Sequence, residues 1–179
     1  MRRLFIGVNF TNEDKDYFVN TQKILEKYCD RAHYTRKDNL HLTLKFLGLM
    51  SEDNEQQVIE VIKKIDVEPL VLTVEHLGFF SKKRGYIGYL GFKPQPELTR
   101  LAINLNEVLV MNKLTEDHHF IYTPHITLCR NAHFILPLVD ISRGINIKRD
   151  LTLTNVTLYE SINIDGVLTY RPRYIRKVI

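Results

Sequence analysis

Cysteine is almost missing from this chain. Cys29 and Cys129 are the only thiols among 179 residues, and they form no CxxC pair. That excludes a disulfide framework and a Cys-rich structural zinc site, and leaves two free thiols. Glycine and proline number only 8 and 6, and no Ser/Gly linker separates two independent domains. No apolar stretch is long enough to cross a bilayer. The opening "MRRLFIGVNF" has a basic pair but a short apolar run and no small-residue cleavage pattern, so it reads as a first strand and not as a secretory signal. HExxH spacing and carboxylate clusters are absent as well, so the sequence calls for no metal and no other cofactor. The missing membrane span and secretory signal place the protein in the cytoplasm; no protein partner is implied, and a monomer is the expectation.

What is present fits a folded enzyme-sized unit. The chain is 44% hydrophobic, which suits one domain spanning 1–179, or two small lobes sharing a core. The net charge of +4 is compatible with an anionic substrate but too small to establish nucleic-acid binding. The basic clusters are Arg2–Arg3, Arg36–Lys37, Lys82–Lys83–Arg84 and the tail Arg171, Arg173, Arg176, Lys177. Each reads as solvated surface unless the fold gathers them around one groove.

Strand and helix signals interleave along the chain. "RLFIGVNF" predicts a strand, followed by a helix capped at Thr11 or Asn12 with Glu13 and Asp14 in its first turn. Phe18, Thr21, Leu25 and Tyr28 give that helix one buried face. After the strand at 41–48, Ser51 caps a second helix whose Val58, Val61, Ile62 and Ile65 form an apolar stripe. Strands "LVLTVEHLGFF" and "GYIGYLGFK" follow, joined by a basic turn at 81–84. A third helix starts after Pro94 and Pro96, with Leu98, Leu101, Leu105, Val108 and Leu109 facing the core. "PHITLCR" is a strand, 131–150 an irregular loop with short strand pieces, "LTLTNVTLYES" one strand, and "VLTYRPRYIRKVI" a closing strand after the turn "NIDG". This order predicts α+β with antiparallel sheets. The two halves repeat a strand, helix, His-x-Thr strand logic, which suggests two similar lobes.

The repeated tetrad carries the chemistry. In "HLTL" (41–44) and "HITL" (125–128) the histidine and threonine share one face of a strand, while the apolar residues take the other. A lone strand histidine is ordinarily a half-exposed residue bonded to its neighbours; two matched tetrads are a pattern. Two imidazoles on opposite sides of a phosphate can divide base and acid work, since both protonation states are available near neutrality. One takes a proton from attacking water and the other donates to the departing oxygen. The hydroxyls of Thr43 and Thr127 can donate to the non-bridging oxygens. His33, His76 and His133 stand alone, and His118–His119 reads as a solvated loop.

"RKDNLHLTLKFLG", "YTPHITLCR" and "VTLYES" resemble the two-histidine (2H) phosphoesterases, in particular the RNA 2',3'-cyclic phosphodiesterase branch, also called the 2'-5' RNA ligase family. The resemblance runs over nearly the whole chain. It implies a bilobal α+β fold of two pseudo-symmetric lobes, antiparallel sheet inside and helices outside, with the active-site cleft between them. It also implies hydrolysis of a terminal 2',3'-cyclic phosphate on RNA ends or nucleotides to a 2'-phosphomonoester. Carried over, His41 is the proton donor to the leaving 3' oxygen and His125 the proton acceptor, with Thr43 and Thr127 holding the phosphate. Arg130 matches an arginine that supports the phosphate in similar proteins. Strict alternation turns it away from His125 and Thr127, so it reaches the cleft only if the strand ends or bulges near Cys129. Phe46 and Tyr122 flank the tetrads and are candidates for stacking on a base. Two departures stand out: Phe10–Thr11 where a proline often follows the first strand, and Thr123 where an arginine is common. Alternative readings are 2'-5' phosphodiester cleavage, ATP-independent 2'-5' joining, or a non-catalytic RNA or nucleotide-binding module.

Overall fold

Apolar alternation and helix caps account for the elements in chain order. The structure, a computed structural model, describes residues 1–178. The chain runs β1 (Arg2–Val8), α1 (Asn12–Glu26), β2 (Cys29–Tyr34), a 3-10 turn at Lys37–Asn39, β3 (Leu42–Met50), α2 (Glu52–Lys64), β4 (Leu70–Lys82) and β5 (Gly85–Phe92). It continues with α3 (Pro96–Met111), β6 (His125–Phe134), α4 (Leu138–Gly144), β7 (Arg149–Leu153), β8 (Asn155–Ile164) and β9 (Val167–Lys177). The Thr11 hydroxyl accepts from the Asp14 amide and the Ser51 hydroxyl from the Asn54 amide, so both helices start at their expected caps. On α3, Leu98, Leu101, Leu105 and Leu109 are buried, whereas Val108, expected inside, is exposed.

All strand pairs are antiparallel, in the order β7-β4-β5-β6-β3-β1-β8-β9, with β2 added on β6. The order is two quartets back to back: β3-β1-β8-β9 forms one lobe and β6-β5-β4-β7 the other. They are joined by a single registered pair, Leu42 opposite Ile126. Helices cross between the lobes. α1 packs on β6 and β2, and α3 packs on β3. Arg149 of β7 fastens the start of α1 by donating to Asp14 (2.8 Å) and Glu13 (2.9 Å).

Four expectations need correction. First, the lobes are not the two halves of the chain. Residues 70–153 build the four paired strands of one lobe, inserted between 2–64 and 155–177, which build the strands of the other and also lend β2 to the edge of β6. Second, 149–164 is two strands: the apolar positions shift by one residue at Thr154–Asn155, from Leu151 and Leu153 to Val156 and Leu158, and β7 pairs with β4 while β8 pairs with β1 and β9. Third, 131–150 is largely ordered, since β6 runs to Phe134 and α4 and β7 follow. Fourth, β2 was not foreseen. Its sequence "CDRAHY" has little apolar content, and its strand form comes from edge pairing with β6.

Candidate active site

The seam between lobes sets the geometry. Leu42 and Ile126 are opposite each other and fully buried. Counting one residue outward along antiparallel strands sets His41 across from Thr127 and Thr43 across from His125. The four polar residues therefore form a square on the face away from the leucines, related by the approximate twofold at the seam.

Each imidazole is held in the same way. His41 Nδ1 lies 2.6 Å from the Asn39 carbonyl, and His125 Nδ1 lies 2.8 Å from the Thr123 carbonyl. A carbonyl only accepts, so Nδ1 carries the proton in both rings and Nε2 is the working nitrogen. Both carbonyls come from the residue two positions upstream. The Asn39 side chain fixes its own segment by donating to the Leu168 carbonyl (2.8 Å) and accepting from the Tyr170 amide (3.0 Å). Thr123 precedes Pro124, which holds it extended. The Thr43 hydroxyl is 2.8 Å from His41 Nε2. Aromatic rings brace both histidines: Phe5 (centroids 4.8 Å) and Tyr170 (5.1 Å) against His41, Phe80 (5.2 Å) and Tyr89 (5.6 Å) against His125.

Burial pushes the His41 pKa down to about 4, with Arg130, Lys15 and His125 adding to the effect and the Asn39 carbonyl opposing it. Burial also lowers the His125 pKa, again with Arg130 adding and the Thr123 carbonyl opposing.

The last leucine of each tetrad is a bulge. Gly7 pairs with Thr43 and Ile6 with Lys45, which skips Leu44; Tyr89 pairs with Thr127 and Gly88 with Cys129, which skips Leu128. Each bulge reverses the alternation after it. Phe46 and Arg130, both five residues after their histidine, come round to the polar face. Lys45 and Cys129 turn inward, at 3% and 0% exposure. The Leu128 carbonyl accepts from Gln22 Nε2 (2.8 Å) and from the Thr35 amide (2.9 Å), which pins the bulge to α1 and to the segment before the 3-10 turn. Lys45 forms an ion pair with Asp117 (2.6 Å) under the Phe120 ring.

A cavity of about 230 Å³ opens here, lined by His41, Thr127 and Arg130, by His33, Arg36 and Asn39, and by Leu168 and Tyr170. Arg130 thus stands with His41 and Thr127. Phe46 and Tyr122 lie outside the cavity lining, and so do Thr43 and His125, which the seam register sets directly beside His41 and Thr127. Phe46 is 65% exposed. Tyr122 is half-buried and donates its hydroxyl to the Thr43 carbonyl (3.1 Å), a strut between the lobes. A larger hollow of about 410 Å³ between α2 and α3 is lined by residues such as Gln57, Val61 and Val108 and has no histidine or hydroxyl side chain. Sequence reasoning missed Asn39, Phe5, Tyr170, Phe80 and Tyr89. The one available signal was that Asn39 and Thr123 occupy the same position before their histidines. The aromatic rings come from strands whose pairing the sequence does not state.

Two lobes that each bring one His-x-Thr tetrad to a shared cleft define the class of two-histidine phosphoesterases. A family model described as the AKAP7 2'5' RNA ligase-like domain matches residues 5–135. An RNA 2',3'-cyclic phosphodiesterase of Archaeoglobus fulgidus is 31% identical over 142 residues, 79% of this chain and 79% of the relative. One from Escherichia coli K12 is 30% identical over 172 residues, 96% of this chain and 93% of the relative. The crystal structure of E. coli LigT complexed with phosphate superposes with a TM-score of 0.77 at 26% identity, covering 99% of this chain and 97% of that one. The chain belongs to the 2'-5' RNA ligase-like family of two-histidine phosphoesterases.

Proposed function

We propose that this protein hydrolyses 2',3'-cyclic phosphate ends of RNA to 2'-phosphomonoesters. The observation that carries this reading is the facing pair of tetrads, each histidine with Nδ1 tied to a carbonyl, which leaves Nε2 as the nitrogen for proton transfer. The A. fulgidus and E. coli relatives are named RNA 2',3'-cyclic phosphodiesterases, which supports opening of the cyclic phosphate. With the cyclic phosphate between the histidines, His125 Nε2 takes a proton from water as its oxygen bonds to phosphorus. The bond from phosphorus to O3' breaks, and His41, protonated at Nε2, donates to that oxygen. Thr43 and Thr127 donate to the non-bridging oxygens, and Arg130 supplies positive charge to them. The Thr43 hydroxyl, which faces His41 Nε2 in the free protein, must turn to the phosphate as His41 is protonated. Phe46 offers an exposed ring at the lobe edge for a base. Every group comes from one copy of the chain. The free thiols Cys29 and Cys129 favour a reducing compartment such as the cytoplasm. Among the described residues no helix is long and apolar enough to cross a membrane.

The test is incubation with adenosine 2',3'-cyclic phosphate in EDTA, with the product identified by phosphorus NMR. The expected product is the 2'-phosphate. A 3'-phosphate would reverse the leaving group, and binding without turnover would support a non-catalytic module.

A further inference from the structure

Most of the basic clusters singled out in the sequence are occupied elsewhere in the fold. Arg2 and Arg173 bind Glu55, Arg171 binds Glu160, Arg176 caps α2 through the Ile62 and Ile65 carbonyls, and Lys37 pairs with Asp16. One cluster differs. Lys82, Lys83 and Arg84, at the tip of the β4–β5 hairpin, are exposed and form no ion pair among the described residues.

That tip connects to the cleft through a line of basic side chains on the edge made by β6 and β2. His133 Nε2 lies 3.2 Å from the Arg84 carbonyl and 3.2 Å from the Arg31 guanidinium. Arg31 pairs with His133 across the strands, and His33 pairs with Arg130. His33 and Arg130 both line the cavity that holds His41. Arg31 and Arg130 also form no ion pair among the described residues. From Arg130 to His133 the strand advances about 10 Å, and the hairpin tip extends the line further. On the same lobe, Phe80 and Tyr89 stack at 4.2 Å beside His125, an aromatic surface next to the charge.

We propose that this edge, from Arg130 through Arg31 to the Lys82–Arg84 tip, is the track for the RNA chain 5' of the reacting end. The inference rests on the cyclic phosphodiesterase reading and adds the surface that holds the RNA chain, which makes oligoribonucleotide ends better substrates than free cyclic mononucleotides. A single strand seated there releases counterions from each neutralised phosphate, so binding weakens with salt in proportion to the contacts made.

The experiment compares kcat/KM for adenosine 2',3'-cyclic phosphate and for an oligoribonucleotide of about six residues with the same end, across a salt series. Wild-type protein should favour the oligonucleotide by about tenfold or more at low salt, with the advantage shrinking as salt rises. The triple variant Lys82→Ala/Lys83→Ala/Arg84→Ala should lose most of that advantage through KM and flatten the salt dependence, with mononucleotide turnover unchanged. A control, Lys23→Ala/Lys27→Ala/Lys64→Ala, removes equal charge from exposed positions on α1, at its C-cap and on α2 and should keep the preference. The track is overturned if wild type treats both substrates alike, if the hairpin variant loses both equally, or if the control loses as much as the hairpin variant. Turnover of neither substrate by wild type would overturn the cyclic phosphodiesterase reading itself.

Discussion

At the residue scale, the site depends on two imidazoles that rest neutral in the free protein. Burial lowers both pKa values, His41 to about 4, while the carbonyls of Asn39 and Thr123 partly oppose it. An unfolded histidine titrates near ~6.5, so between that value and about 4 the unfolded chain binds more protons than the folded one at His41. The stability tied to a neutral His41 is complete above the unfolded pKa and is lost as pH falls through the folded one. Thermal unfolding at stepped pH should show Tm falling across that window, with a shallower fall for His41→Gln. The acid role requires a protonated His41, so kcat/KM should decline as pH rises from about 6 to 8. A bound phosphate stabilises the imidazolium, and NMR titration of His41 should give a higher pKa with inorganic phosphate than without. An unchanged His41 titration would separate this residue from the phosphate site.

At the element scale, the bulge after each tetrad determines what reaches the cleft. Gln22 is buried on α1 and donates both to the Leu128 carbonyl and to the Thr35 carbonyl, each at 2.8 Å. Gln22→Met removes both bonds, and we expect a stability loss of about 1–2 kcal/mol in denaturant unfolding. It should also raise KM more than it lowers kcat, since Arg130 loses its fixed position while the histidines keep theirs. A pure stability loss with unaltered KM would contradict that link. The same bulges mark the limit of what the sequence disclosed. His41, Thr43, His125 and Thr127 were legible because alternation holds within each tetrad. Beyond it, alternation assigns Lys45 to the cleft and Arg130 to the core side, and both are reversed. A bulge is set by the partner strand and, at Leu128, by Gln22 reaching over from α1, so nothing local announces it. The polar β2 was illegible for the same reason, since its order comes from pairing with β6.

At the scale of the whole molecule, the chain leaves its first lobe after α2, builds the second as β4 to β7, and returns through β8 and β9. The return is fastened at Glu55 on α2, which is 2% exposed and accepts from Arg2 of β1 (2.8 Å) and Arg173 of β9 (2.7 Å). Burial works against its charge, but the bonds and charges of Arg173 and Arg2 outweigh it and hold the carboxyl below its usual range. The stability this contributes is present above the ordinary carboxylate pKa and lost as pH falls through the lowered value. Glu55→Ala should cost about 2–3 kcal/mol in chemical denaturation, with kcat of the folded protein retained because the pair lies away from the cleft. A fall in kcat at full folding would mean that this lobe's closure also shapes the site. The interleaved order was visible in the sequence; which strands belong to which lobe was not, because the only local mark of the crossing within 151–161 is a one-residue phase shift at Thr154–Asn155, with no glycine or proline turn to separate two strands.

The central claim is that one histidine from each lobe acts on the same phosphate as a single acid and base unit. It is tested most directly by the turnover of adenosine 2',3'-cyclic phosphate by His41→Ala, His125→Ala and the double variant, each confirmed to be folded. The account predicts losses of roughly 10²-fold or more for each single change, with the double variant close to the worse single one because the two act together. Near-wild-type turnover in either single variant, or losses that simply multiply in the double, would contradict it.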